Sequence, residues 1–374
     1  MKSVSKNKIS IFIGLVIVVA IVGFMFFLSQ TSDIGKAIEE VKQCTNQDQV
    51  KNVFDKYKGT LTTINGNNEN EIEPNFLKEI RDKLYSFNLN DNEISVCKGW
   101  LPPAPTSLNL IIVPDLSRRI IDGVNNPDQI SNDTTILNYI WEAFENSTKL
   151  KMNTKDRLTV DVTDKGQAGG QFLKLANNLI FDLSKYKDKI NRLYFTDSVR
   201  NQYTKNIDTM YQLAKREPIG ADYWHYFRYD VSKHIPKPTL YDNYRNVLII
   251  ITDGYLEAEN SKATGNPPLY TGSLAERQKV ANKMKSGKSV EGAVDGIIKI
   301  PDIDQKFPTL EVLLLEINPR ASGTPKDYDI LEFLWRDWFK RIGIKNADDN
   351  FFIQRNDATL QTKDIIDNFL NDKK

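Results

Sequence analysis

The sequence predicts an α/β protein: a doubly wound, mainly parallel sheet preceded by a membrane helix and a small helical segment. Three observations carry that expectation. From about residue 108 onward, short apolar runs alternate with longer amphipathic stretches, the pattern of β/α units stacked with helices on both faces of a sheet. Two of those runs, NVLIIIT (246–252) and LEVLLLEI (310–317), are nearly all apolar, as central strands buried on both faces must be. Near the N-terminus, ISIFIGLVIVVAIVGFMFFL (9–28) offers twenty residues without a charge, which at roughly 1.5 Å each span about 30 Å of hydrocarbon.

The elements follow in chain order. Residues 1–8 form a short tail and 9–29 a transmembrane helix. The apolar run is longer than the core of a cleaved signal peptide, and SQTSDIGKAIEE after it holds no A-x-A-like cleavage site. Lys2, Lys6 and Lys8 precede the helix, whereas Ser29, Gln30, Thr31, Ser32 and Asp33 follow it. The positive-inside rule then places the N-terminus in the cytoplasm and the rest of the chain outside it.

Residues 30–105 read as a helical stalk or cap. Ile34, Ala37, Ile38 and Val41, then Val50, Val53, Phe54 and Tyr57, recur at helical spacing. NGNNENEIEP breaks that pattern before a helix over 75–86, with Pro74 near its first turn. Cys44 and Cys97 are the chain's two cysteines. An oxidising compartment would let them pair; two separate buried thiols are the other reading.

LPPAPTS (101–107) marks a boundary, because consecutive prolines exclude helix. The second domain, 106–374, carries strand candidates at 108–113, 157–162, 192–195, 246–252, 310–317 and 351–354. Helix candidates lie at 129–147, 170–183, 200–215, 222–234, 274–285, 327–342 and 362–371.

Two strand ends hold polar groups. The first runs into Asp115, Ser117, Arg118 and Arg119, and a later one into Thr252-Asp253-Gly254. Ligands of open α/β sheets bind at the carboxyl ends of the strands, so these are the natural site residues. An apolar strand ending in D-x-S, with an apolar strand ending in T-D-G far downstream, resembles a von Willebrand factor A domain over about residues 106–372. That resemblance implies a metal-ion-dependent adhesion site and a role in protein–protein adhesion or assembly. It assigns Asp115, Ser117 and Asp253 as ligands of Mg²⁺, with Asp222 standing where the family has a threonine. The third position of the first motif, normally serine, is Arg119. A guanidinium about 4 Å from a divalent ion costs on the order of 8 kcal/mol at an effective dielectric of 20. Two arrangements are therefore open: Mg²⁺ with Arg119 turned away, or Arg119 replacing the metal as an ion-pair partner. Asp222 also suits the N-cap of the following helix.

Other chemistries lack their residues. Fifty basic and 49 acidic side chains leave a net charge of +1, without the positive field that nucleic-acid binding needs. No G-x-S-x-G elbow or G-x-x-x-x-G-K-[ST] loop occurs, and the D-x-S loop lacks the second acid of a D-x-D phosphatase loop. His225 and His234 are nine residues apart and share no metal-binding helix face. Gly265-Asn266-Pro267-Pro268 lies in a long loop after Asp253. The expectation is a non-enzymatic, membrane-anchored extracytoplasmic module that binds a protein partner in the cell envelope. A metal-assisted hydrolase on Asp115, Ser117 and Asp253 is the rival, and a structural subunit of an envelope complex is a third reading.

Overall fold

The computed structural model describes residues 33–371, apart from 65–69, 105, 150, 152–153, 164, 166–168, 187–188, 238 and 257–269. The tail at 1–8, the membrane helix at 9–29 and Gly265-Asn266-Pro267-Pro268 lie outside the described residues. Among the described residues no helix is long and apolar enough to cross a membrane. The chain divides into two units, Met1–Ala104 with Pro238–Asn243, and Pro105–Lys237 with Tyr244–Lys374.

The first unit holds helix α1 (33–43), α2 (Gln47–Tyr57), the short strands β1 (Thr62–Ile64) and β2 (Asn70–Ile72), α3 (Pro74–Tyr85) and α4 (Asp91–Trp100). Local chemistry sets these bounds. Asn46 caps α2 by accepting from the Gln49 N–H, and Pro74 opens α3, where its missing N–H costs nothing. Asn90 and Glu93 form a capping box on α4, a signal the apolar spacing alone did not carry. The polar run read as a simple break contributes one strand of an antiparallel hairpin, Thr62 opposite Ile72. Val41, Val50, Phe54, Phe76, Ile80 and Leu84 fill the core together with Leu240 from the second stretch of this unit. Cys44 and Cys97 are buried free thiols. The Cys44 Sγ donates to the Glu40 carbonyl and the Cys97 Sγ to Gln47 Oε1.

The second unit follows as β3 (Thr106–Pro114), α5 (Gln129–Thr148), β4 (Arg157–Val160), α6 (Gly169–Asn177), β5 (Ile180–Asp182), α7 (Lys189–Arg216), α8 (Tyr223–Tyr229), α9 (Val231–His234) and β6 (Asn243–Ile251). It continues with α10 (Leu274–Lys285), α11 (Val290–Val294), β7 (Leu310–Ile317), α12 (Asp327–Arg341), β8 (Phe352–Gln354) and α13 (Leu360–Asn371). The six strands are ordered β5-β4-β3-β6-β7-β8. β4 runs parallel to β3, β7 to β6 and β8 to β7, while β5 is an antiparallel edge. The chain winds outward from β3, returns to the centre at β6 and winds outward the other way. The order reverses between β3 and β6, which makes their carboxyl ends the switch point of the sheet.

Strand periodicity divides the core. Leu110, Ile112, Val160, Ile249, Ile251 and Leu313 pack with α5, α6, α7 and α13 on one face. Ile111, Val113, Leu248, Ile250, Val312 and Leu314 pack with α8, α10, α11 and α12 on the other. Both faces are covered, which explains why 246–252 and 310–317 read as nearly all apolar.

One expected strand is a helix. Arg192-Leu193-Tyr194-Phe195 falls inside α7, with Leu193 42% and Tyr194 72% exposed while Arg192 and Thr196 are fully buried. A period near four, continued by Tyr203, Ile207 and Tyr211, fits a helix face and not a strand. The expected helix at 170–183 stops at Asn177, and Ile180–Asp182 turns back to pair with β4.

Arg192 also fixes the amino end of β4. Its Nη1 lies 2.5 Å from Asp156 Oδ2 and 3.1 Å from the Thr148 carbonyl, and its Nε donates to the Tyr186 carbonyl at 2.7 Å. Asp156 Oδ1 in turn accepts from the Leu108 N–H at 2.6 Å. One buried ion pair thus ties β3, β4, α5 and α7 together. Asp156→Ala strands the guanidinium in the core and is expected to cost about 3–5 kcal/mol in urea unfolding; a loss below about 1 kcal/mol would show that the pair is dispensable.

Candidate functional site

The first strand end is held by its own turn. Asp115 donates its N–H to the Ile251 carbonyl at 2.9 Å, joining the ends of β3 and β6. Its Oδ1 accepts from the Ser117 N–H at 3.0 Å, an Asx-type turn, and its Oδ2 accepts from the Thr252 hydroxyl at 3.0 Å. Ser117 then caps a short 3₁₀ turn, Arg118–Ile121, which places Arg119 back beneath the strand ends.

Arg119 does not turn away from the site. Its Nε sits 3.4 Å from Asp115 Oδ2 and donates to the Asp115 carbonyl at 3.2 Å. Its Nη2 bonds Asp133 Oδ2 at 2.6 Å and the Ile251 carbonyl at 3.1 Å. Asp133, on α5, also accepts from Gln129 Nε2 at 2.7 Å and from the Tyr211 hydroxyl at 2.9 Å. Gln129 extends the network, accepting from Arg355 Nη1 at 3.0 Å and donating to Glu316 Oε2 at 3.3 Å. Burial acts to lower the Arg119 pKa, but Asp133 and Asp115 outweigh it and hold the guanidinium charged.

Asp253 stands at the end of β6. Its Oδ1 accepts from the Tyr255 N–H at 3.2 Å, and its Oδ2 lies 3.4 Å from Arg320 Nη2. Gly254 beside it has φ +94°, and a Cβ there would come within 3.3 Å of Ile317 Cδ1. Left-handed backbone and close packing both require glycine. Burial first, and the Asp115 charge second, push the Asp253 carboxyl up to about 6, against the opposing pull of Arg320 and Arg119.

Asp115, Ser117 and Asp253 are therefore brought to neighbouring strand ends, with Arg119 among them. Asp222 is engaged elsewhere, since its side chain accepts from the His225 N–H at 2.9 Å and caps α8. The donor set does not fit a divalent ion. Ser117 Oγ faces its own turn, and the Arg119 guanidinium, paired with Asp115 and Asp133, brings a positive charge beside the oxygens that a cation would need. Among the described residues no group of three or more His, Cys, Asp or Glu side chains could hold a metal.

Nor, among the described residues, does a histidine stand beside Ser117 as its base. His225 is exposed and lies tilted against the Tyr229 ring, while His234 Nε2 pairs with Asp161 Oδ2 at 2.7 Å. Neither contacts Ser117, Asp115 or Asp253.

Asp133, Glu316, Tyr211 and Arg320 are among the residues of the network that escaped the sequence reading, with Gln129 and Arg355. Asp133 interrupts the apolar stripe of α5 that continues through Ile136, Leu137 and Ile140, and Glu316 is, with Glu311, one of two buried acids in an otherwise apolar strand. Asp133 and Glu316 were legible as polar breaks in buried faces. Tyr211 and Arg320 carried no comparable signal.

A cleft of about 540 Å³ opens over the site, walled by Arg118, Arg119, Arg320, Asp253 and the loop residues Ile121 and Asp122. Its size falls in the range of ligand sites. A larger hollow beside α12 is walled by Glu291, Phe333 and Asp337, but Asp337 is taken up by Arg341 Nε at 2.9 Å and no strand end reaches it. No family model matches the sequence, and no curated protein is detectably similar to it.

The raised Asp253 carboxyl predicts a pH dependence. Folded Asp253 holds a proton up to about 6, whereas an unfolded aspartate releases it near 3.9. Its contribution to stability is therefore complete below about pH 4 and lost as pH rises through about 6. Asp253→Asn is expected to flatten that limb, gaining about 1–3 kcal/mol over the natural protein at pH 7 relative to pH 4. Parallel denaturation curves at both pH values would contradict it.

Proposed function

We propose that this protein is a membrane-anchored, extracytoplasmic module, similar to a von Willebrand factor A domain, that binds a protein partner at the carboxyl edge of its sheet. The strand order and the antiparallel edge β5 support that finer reading of the fold, because the order is that of doubly wound sheets whose ligands bind at the switch point. The D-x-S and T-D-G turns meeting at that point support it further. The uncharged run at 9–28, with Lys2, Lys6 and Lys8 before it, supports an anchor with the domain outside the cytoplasm.

One observation carries the interaction role. The loop between β3 and α5 raises Ile121 and Val124, 49% and 83% exposed, beside the exposed Arg118 at the mouth of the cleft. Apolar side chains flanked by arginine at a switch point are suited to docking a protein surface. A hydrolase is less well supported, since among the described residues neither histidine contacts Ser117.

Single cysteines test the partner site and the topology together. Val124→Cys on the cleft rim and Tyr194→Cys near the amino end of β4 would be treated on intact spheroplasts with a membrane-impermeant thiol–amine crosslinker. The expected result is a discrete heavier adduct from position 124 and none from 194. Failure of both cysteines to react with an impermeant maleimide would reverse the orientation. Labelling at both without a position-dependent adduct would remove the strand-end partner.

A further inference from the structure

The first turns of α7 carry an exposed apolar face. Ile190, Leu193 and Tyr194 are 67%, 42% and 72% exposed, and their spacing of three and four sets them side by side on the helix. Exposed apolar residues scattered singly are ordinary, whereas a contiguous group marks a contact surface. The face is held in place from behind. Arg192 and Thr196, on the opposite side of the helix, are fully buried, Arg192 in its ion pair with Asp156, and Phe195 stacks on Tyr186 with ring centroids 4.4 Å apart. Rotating α7 to bury the three apolar side chains would pull Arg192 out of that pair.

Lysines flank the face. Lys185 and Lys189 are exposed, and their ammonium groups make no ion pair among the described residues. In sequence the stretch 185–189 holds three lysines and one aspartate. The first acid along the apolar stripe is Asp197, a turn beyond Leu193 and Tyr194. The face also stands at the amino edge of the sheet, where Arg192 meets Asp156 and Asp156 Oδ1 receives the Leu108 N–H. By that edge the chain enters the second unit, just after Ala104, coming from the side of the uncharged run at 9–28. The cleft lies at the other edge.

We propose that Ile190, Leu193 and Tyr194 rest on the surface of an anionic lipid bilayer, the one in which residues 9–28 anchor the chain, with Lys185 and Lys189 on its headgroups. This inference rests on the anchor reading above and is independent of the strand-end partner. The chemistry is that of an interfacial helix face: aliphatic side chains enter the boundary between headgroups and acyl chains, a tyrosine ring sits at headgroup level, and lysines meet phosphate. The free lysines favour lipid over a protein surface, since protein interfaces are depleted in lysine. So short a face binds weakly by itself, but a tether in the same bilayer makes the contact intramolecular and raises its effective concentration. A domain docked by its amino edge holds the cleft away from the bilayer.

The test uses the full chain reconstituted in phosphatidylcholine vesicles with about 30% phosphatidylglycerol, which supply the anionic surface. A polarity-sensitive fluorophore is attached through Ile190→Cys or Val124→Cys, and the natural chain, whose cysteines are buried, gives the background. Lipids bearing a nitroxide near the headgroup are expected to quench the label at 190 about threefold or more than the label at 124. Lys185→Gln with Lys189→Gln, or about 1 M salt, which screens charge beyond about 3 Å, should halve that quenching or better. Equal quenching at both positions, or none at 190, would overturn the proposal, and bridging of two Ile190→Cys chains by a short bis-maleimide would assign the face to a second copy instead. If alkaline carbonate strips the chain from the vesicles, the anchor reading falls and the lipid contact with it. If the chain stays embedded and the label at 190 is unquenched, the lipid contact alone falls.

Discussion

The carboxyl end of the sheet depends on one buried cation. Asp115 and Asp253 come from adjacent strand ends, Asp133 reaches in from α5, and each is almost fully buried. Three carboxylates so placed repel one another, and desolvation raises the cost of ionising each of them. The Arg119 guanidinium answers two of them and also bonds the Ile251 carbonyl at the end of β6. It therefore holds charge balance and strand alignment together. The remaining acid, Asp253, is answered by the looser Arg320 and by a raised affinity for its own proton.

That arrangement follows from topology. In a sheet whose order reverses between β3 and β6, the loops leaving those strands turn to opposite faces and open a crevice. The same reversal is why a residue four positions past Asp115 can reach a helix on one face and a neighbouring strand's carbonyl at once. At the other end of the strands, Arg192 and Asp156 repeat the device with a fully satisfied pair. One end is closed and stabilising, whereas the other keeps, among the described residues, an unbonded nitrogen and an open cleft.

Much of this was legible in the residues. β6 and β7 announced themselves as apolar runs, and the polar groups at the ends of β3 and β6 fell where the strand ends placed them. Arg119 was visible as the residue that breaks the metal motif, although only the fold shows that it points inward. Arg192-Leu193-Tyr194-Phe195 misled because four residues fit a strand of aromatic and aliphatic character as well as a helix turn. The decisive periodicity lay further on, at Thr196, Tyr203 and Ile207. The short edge β5 and the β1–β2 hairpin were hidden because strands of three residues carry too little alternation to outweigh their polar neighbours. The Asp133–Tyr211 contact joins residues 78 apart, and no local pattern encodes it.

If Arg119 is the resident cation, metal has no place to act on stability. The most direct measurement is thermal unfolding of the natural chain and of Arg119→Ala, each with EDTA and with millimolar Mg²⁺. The account predicts a natural protein indifferent to the ion, and a variant destabilised by about 3–5 kcal/mol because buried carboxylates lose their partner. A natural protein whose melting temperature rises with Mg²⁺, together with a variant that loses little, would contradict it and return Asp115, Ser117 and Asp253 to the role of metal ligands.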